Sequence, residues 1–151
     1  MDSQFIFNAI RNKYPTNALV PEVSINDIYN REQPNQNARV YKRRIDALMF
    51  DGGQRTAIEI KVSRADAKRE TWHKIAPWRN VTHRFVYAVP AGLLEFNESD
   101  FEFNWDCGLW WIHEDGSVEV RRKAKINKYP DPLPNDVILR LSYRATPPIE
   151  N

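Results

Sequence analysis

The apolar positions of this chain change period several times, and each change marks an element. Ile6, Ala9 and Ile10 recur at helical spacing, Ser3 can cap the segment and Pro15 stops it, so a short helix is expected over 3–13. From Ala18 to Ile25 the pattern alternates, with Glu22 and Ser24 on one face and Val23 and Ile25 on the other. Pro21 makes this an edge strand, or one that begins after the proline. The polar stretch Asn26 to Asn37 reads as a loop within reach of a ligand. Val40 to Phe50 is a second strand, apolar on both faces except at Asp46, as expected of a strand covered on both sides. Asp51-Gly52-Gly53-Gln54 is a hairpin turn, and Thr56 to Val62 is the third strand, with Ala57, Ile58 and Ile60 around Glu59.

The period then returns to helical. Ser63-Arg64-Ala65-Asp66 has the form of a capping box, with Ser63 bonding first-turn amides and Asp66 reaching back. One helix is expected to about Ala76, with Trp72, Ile75 and Ala76 on a stripe and Pro77 ending it. Arg84 to Val89 is a near-continuous apolar run closed by Pro90-Ala91-Gly92. It fits a buried central strand, reached by a helical crossover and so parallel to the third. Gly108 to His113 and Ser117 to Arg122 flank Glu114-Asp115-Gly116, a second hairpin. Val137 to Tyr143 is compatible with a helix or a strand. The simplest organisation is one domain over 1–145 and a flexible tail over 146–151.

Composition narrows the function classes. The net charge of +2 and pI near 8.7 mean that any basic surface must be local. With Cys107 as the single cysteine, an internal disulfide framework or cysteine-rich zinc site is excluded, and a reducing, intracellular (cytoplasmic) home is expected. No apolar run approaches the roughly 18 residues of a membrane span, and the N-terminus lacks the pattern of a signal peptide. There is no Gly-rich phosphate loop, so ATP-driven activity is not expected.

Three charged residues break the apolar strands. Glu59 and Lys61, two apart, emerge on one face of the third strand, and a hairpin lets Asp46 join them. Two carboxylates with the intervening Ile60 backbone carbonyl form a hard-oxygen set suited to Mg²⁺, or Mn²⁺ in its place. Such an ion polarises a phosphoryl oxygen and lowers the pKa of a bound water, and Lys61 would orient that water or offset charge on the phosphate. The bland alternative is a Glu–Lys pair on a solvated strand face; the apolar residues on either side of the charges make that a poor account. The basic groups Lys42-Arg43-Arg44, Arg64 with Lys68 and Arg69, and Arg121 to Lys125 could line one phosphate groove; for any single cation a solvated face is the favoured reading, and the first group, next to the proposed metal site, is the best candidate. His73, His83 and His113 lack paired ligand spacing, and Cys107 reads as a buried thiol. Trp105, Trp110 and Trp111 could stack bases, although core packing is the commoner use.

Ile45-Asp46-Ala47-Leu48, the hairpin, Ile58 to Asp66 and Arg84 to Gly92 together resemble the PD-(D/E)XK nuclease superfamily, and within it the MmcB-like DNA-repair proteins. Cys107 to Ile112 and Val120 to Ala124 resemble that group's C-terminal strands. The resemblance spans roughly 22–124 and is strongest over 43–92. It implies a restriction-endonuclease-like α/β fold: an αβββαβ core, a mixed sheet flanked by helices, and here an extra C-terminal β-hairpin. It implies Asp46 and Glu59 as metal ligands, Lys61 as the catalytic lysine, and Glu22 as a further acid at the metal. Lys74 with Trp78 falls where relatives carry Lys or Gln, three residues, then Tyr; here Trp replaces Tyr and the approach from Ser63 is about two residues longer. Asp66 reads as a helix cap rather than a ligand. The nucleic-acid contacts expected are Arg43, Arg44, Ser63, Arg64 and Lys74. The implied activity is Mg²⁺-dependent hydrolysis of DNA phosphodiesters in repair, recombination or phage and host DNA processing. The rival is a non-catalytic nucleic-acid-binding accessory protein on the same fold. A homodimer is compatible with the sequence, which shows no interface for one.

Overall fold

The computed structural model describes residues 1–27, 41–95 and 106–149. The first helix, α1 (Ser3–Lys13), buries Ile6, Ala9 and Ile10 as its spacing requires. Its cap is Asp2 rather than Ser3: the Asp2 side chain accepts from the Phe5 N–H at 2.8 Å, leaving Ser3 as the first helical residue. Three strands follow, β1 (Ala18–Asn26), β2 (Lys42–Asp51) and β3 (Gln54–Ile60), with β2 antiparallel to both β1 and β3. The β2–β3 turn is the expected Gly52-Gly53 hairpin, and Gly52 takes φ +57, a conformation that residues with a Cβ rarely adopt.

The segment after β3 is two helices, not one. Helix α2 (Arg64–Lys68) is capped by Ser63, whose hydroxyl accepts from the Asp66 N–H at 3.1 Å. Helix α3 (Trp72–Asn80) begins after an interruption at residues 69–71 and runs through Pro77 instead of ending there. The fixed φ of proline suits a helix, and the cost of its missing N–H is set against a well-buried face: Ile75, Pro77 and Trp78 all point inward. This pair forms the crossover that lays β4 (Arg84–Pro90) parallel to β3. Next come β5 (Gly108–Ile112), parallel to β4, and β6 (Val118–Arg122), joined to β5 as the predicted hairpin. The chain closes with α4 (Asn135–Ala145), which settles the ambiguous C-terminal segment as a helix.

The result is one six-stranded mixed sheet in the order β1-β2-β3-β4-β5-β6, flanked by helices: the αβββαβ core with a C-terminal hairpin. Strand β4 is central and its residues Phe85 to Val89 are all buried. One face carries Leu48, Ala57, Phe85, Tyr87 and Leu109 under α3 and α4; the other carries Ala47, Met49, Ile58, Val86 and Ala88 under α1. Strand β1 is an edge, as Pro21 indicates, and α4 lies along it. Arg140 donates to the Ser24 carbonyl, Arg144 to the carbonyls of Pro21 and Glu22, and Asp136 accepts from the Asn26 N–H. These side chains supply hydrogen bonds that a further strand would otherwise have made. Among the described residues no helix is long and apolar enough to cross a membrane. Most of the polar loop expected over 26–37 lies outside the described residues, as do residues 96–105, a segment rich in acidic and aromatic residues.

Candidate functional site

The site forms where β2 and β3 stop pairing. Their register runs from Asp51↔Gln54 to Ala47↔Ile58 and goes no further. Beyond that point the Asp46 side chain takes the place of a backbone partner: its Oδ2 accepts from the Ile60 N–H at 2.7 Å. In a strand the N–H and C=O of a residue face the same neighbour, so the Ile60 carbonyl shares the edge occupied by Asp46. On its other side β3 stays paired, with Glu59 opposite Tyr87 and the Lys61 N–H bonded to the Ala88 carbonyl.

Alternation then places Glu59 on the α3 face with Ala57, where a side-chain hydrogen bond joins it to Asp46. Burial, that hydrogen bond, and the charges of Asp46 and Glu70 push the Glu59 pKa up from 4.5 to about 10, against a smaller opposing effect of Lys61. At neutral pH Glu59 therefore holds a proton and donates it to Asp46. Two carboxyl groups sharing a proton, with a carbonyl on the same edge, form a site at which a cation can replace that proton.

Lys61 is also buried, with its side chain 11% exposed. Burial alone would lower its pKa, but Glu70, Glu59 and Asp66 outweigh that and raise it. Its Nζ lies 3.3 Å from Glu70 Oε2 and 3.9 Å from Asp66 Oδ1. Asp66 is thus more than a cap: its N–H meets Ser63 as expected, while its carboxylate faces Lys61 and, at 3.7 Å, Arg69.

The structure brings Asp46, Glu59, Ile60 and Lys61 together as the sequence predicts, but leaves other candidates apart. Glu22 stands at the level of Asp46 on the neighbouring strand, in the left-handed region (φ +50), yet its side chain is 64% exposed and lies 4.0 Å from Arg44. Lys74 points away, donating to the Arg69 carbonyl at 3.0 Å across the gap between α2 and α3. Arg43 is held by Asp27 at 2.9 Å, and Arg64 donates to the Leu93 carbonyl at 2.9 Å. Arg44 is open, with its side chain 60% exposed. The Arg121 to Lys125 cluster does not share a groove with Arg44. It begins on β6, four strand positions from β2, or roughly 19 Å at about 4.8 Å each. Arg121 there pairs with Glu95 at 2.9 Å and stacks 4.4 Å from the Trp111 ring. Trp110 packs against Tyr14, and the Trp111 indole N–H donates to the Leu94 carbonyl, so both serve packing; Trp105 lies outside the described residues.

Two residues of the site were missed. Glu70, with a side chain 2% exposed, reads in the sequence as one more helix charge, and no local signal marks it out. Tyr87 lies in an apolar strand and reads as core, yet its hydroxyl interacts with Glu70, and burial with Glu70 raises its pKa well above 10.

Comparison with protein families finds none that matches the chain, and no curated protein matches it. Among solved structures the chain is similar to SPO1766, a protein of unknown function from Silicibacter pomeroyi. The likeness covers 93% of this chain and 82% of that one at 19% identity, with a TM-score of 0.54. It is a likeness of fold.

Proposed function

We propose that the protein is a metal-dependent deoxyribonuclease of the PD-(D/E)XK type, acting at the gap between β2 and β3. The observation that carries this reading is the half-buried Asp46–Glu59 pair, set beside buried Lys61 where two strands part. Apolar side chains at these positions would pack at least as well, so the fold itself does not call for the two acids. The donor set, two carboxylates and the Ile60 carbonyl, fits a hard ion that keeps several waters. Mg²⁺ or Mn²⁺ held there would supply Lewis acidity toward a phosphoryl oxygen and a water acidic enough to attack at neutral pH. The chain's own part is to hold and orient. Asp46 is fixed by the Ile60 N–H, Glu59 would hold the ion as a carboxylate once its proton had gone to solvent, and Lys61 would offset charge on the phosphate. Arg44, open beside the site, meets a flanking phosphate.

One observation favours the rival, a nucleic-acid-binding accessory protein: among the described residues no three His, Cys, Asp or Glu side chains converge as a metal-holding group. A panel of single-stranded, duplex, flapped and branched DNA, offered with Mg²⁺ and with Mn²⁺, separates the two. The nuclease reading expects cleavage that Asp46→Ala and Lys61→Ala abolish. Binding without cleavage by the wild type, or cleavage that survives Lys61→Ala, sinks it.

A further inference from the structure

Glu70 is buried where the hydrophobic pattern asks for no carboxylate. Its side chain is 2% exposed, and it follows directly on Arg69, which closes α2. A charge so placed is strongly unfavourable unless other groups meet it. Lys61 Nζ, one residue past the end of β3, meets it at 3.3 Å, and Glu70 also faces Tyr87 of β4, whose pKa it helps to raise. Tyr87 is in turn the register partner of Glu59. Glu70 therefore lies behind the site, tied to the strand that bears Glu59 and Lys61 and to its neighbour. The interruption between α2 and α3 is what places it there, and Lys74, donating to the Arg69 carbonyl, stabilises that interruption.

We propose that Glu70 is the positioning residue for Lys61, an assignment that rests on the nuclease reading of the site. An ammonium has three N–H donors on a flexible stem. Buried Glu70 holds the ammonium as an ion-pair partner at 3.3 Å, and the more exposed Asp66, 3.9 Å away, is a second. Two carboxylates thus hold the ammonium in place before substrate arrives. A misplaced catalytic group loses rate far more than it loses substrate affinity.

The test uses the full chain with Glu70→Gln and Glu70→Asp, read in two ways. The first is single-turnover DNA cleavage. The second is the ¹⁵Nζ ammonium signal of Lys61, assigned with Lys61→Arg; this signal is visible at neutral pH only when the ammonium is held and its exchange is slowed. Glu70→Gln should lose about a hundredfold in kcat, with KM within about twofold, and lose the Lys61 signal. Glu70→Asp, which keeps the charge, should retain the signal and recover part of the rate. A merely structural role would not couple the two readouts. A folded Glu70→Gln with wild-type kcat, or with the Lys61 signal intact, overturns the assignment. Should Glu70→Gln fail to fold, a folded Glu70→Asp that loses the signal at unchanged kcat does the same. If the wild type cleaves nothing, the nuclease reading fails, while the ammonium signal still decides whether Glu70 holds Lys61.

Discussion

Glu59 makes this protein less stable as pH rises, and Glu59→Gln should remove the effect. The group's pKa is about 10 in the folded chain against 4.5 for an ordinary glutamate. Below pH 4.5 both folded and unfolded chains carry the proton, so Glu59 adds no pH dependence. Between 4.5 and about 10 the unfolded chain has released the proton and the folded chain has not. The folded state binds more protons, and stability falls with rising pH by about 1.4 kcal/mol per unit. At pH 7 the accumulated loss is on the order of 3 kcal/mol, a large share of a typical domain's stability. Glutamine keeps a donor toward Asp46 and has nothing to titrate. Urea unfolding followed by tryptophan fluorescence, at several pH values from 5 to 8 in the presence of a chelator, should give curves for wild type and Glu59→Gln that diverge steadily as pH rises, the variant being the more stable. Saturating Mg²⁺ should flatten the wild-type slope by displacing the proton and leave the variant unchanged. Stabilities that differ by a constant amount at every pH would show that Glu59 is not held protonated, and would remove the main support for the site.

Other perturbations test the scaffold and the interface. Trp78→Phe deletes the indole N–H that donates to the Arg43 carbonyl at 2.9 Å; thermal unfolding should register about 1–3 kcal/mol for the orphaned buried carbonyl. Gly108→Ala should cost about 1–3 kcal/mol by the same measurement, because a Cβ there would meet Val86 Cγ2 at 3.0 Å and the Ala124 nitrogen at 3.1 Å. Arg44→Ala should weaken DNA binding and reduce the salt slope of log K by about one, whereas Arg121→Ala, on the far strand and paired with Glu95, should leave that slope unchanged.

The strands were legible because their periods are clean: β4 is apolar throughout, and Asp46 and Glu59 stand out as charges among apolar neighbours. Alternation put Glu59 and Lys61 on one face, and the Gly52-Gly53 turn brought Asp46 opposite them. The helix break at 69–71 was not legible, since Arg69, Glu70 and Thr71 carry no proline or glycine to announce it. What draws Glu70 inward is Lys61, nine positions earlier, and a charge pair between elements leaves no local periodicity. Pro77 misled in the opposite sense: it looked like a stop, and the packing of Trp78 and Ile75 overrode it. The basic clusters were grouped into one groove because chain order does not reveal how many strands separate β2 from β6.

The arginines that tie α4 to β1 also set an order of events as the chain is made. Asp136 lies 110 residues after the Asn26 amide it accepts from, and Arg144 lies 122 after Glu22. At about 5–20 residues per second, a nascent chain carries the rim of β1 uncovered for several seconds or more before α4 emerges. Through that interval the strand is open to pairing with another nascent chain. Arg140 and Arg144 thus act last, closing a vulnerable border when the rest of the sheet has already been made.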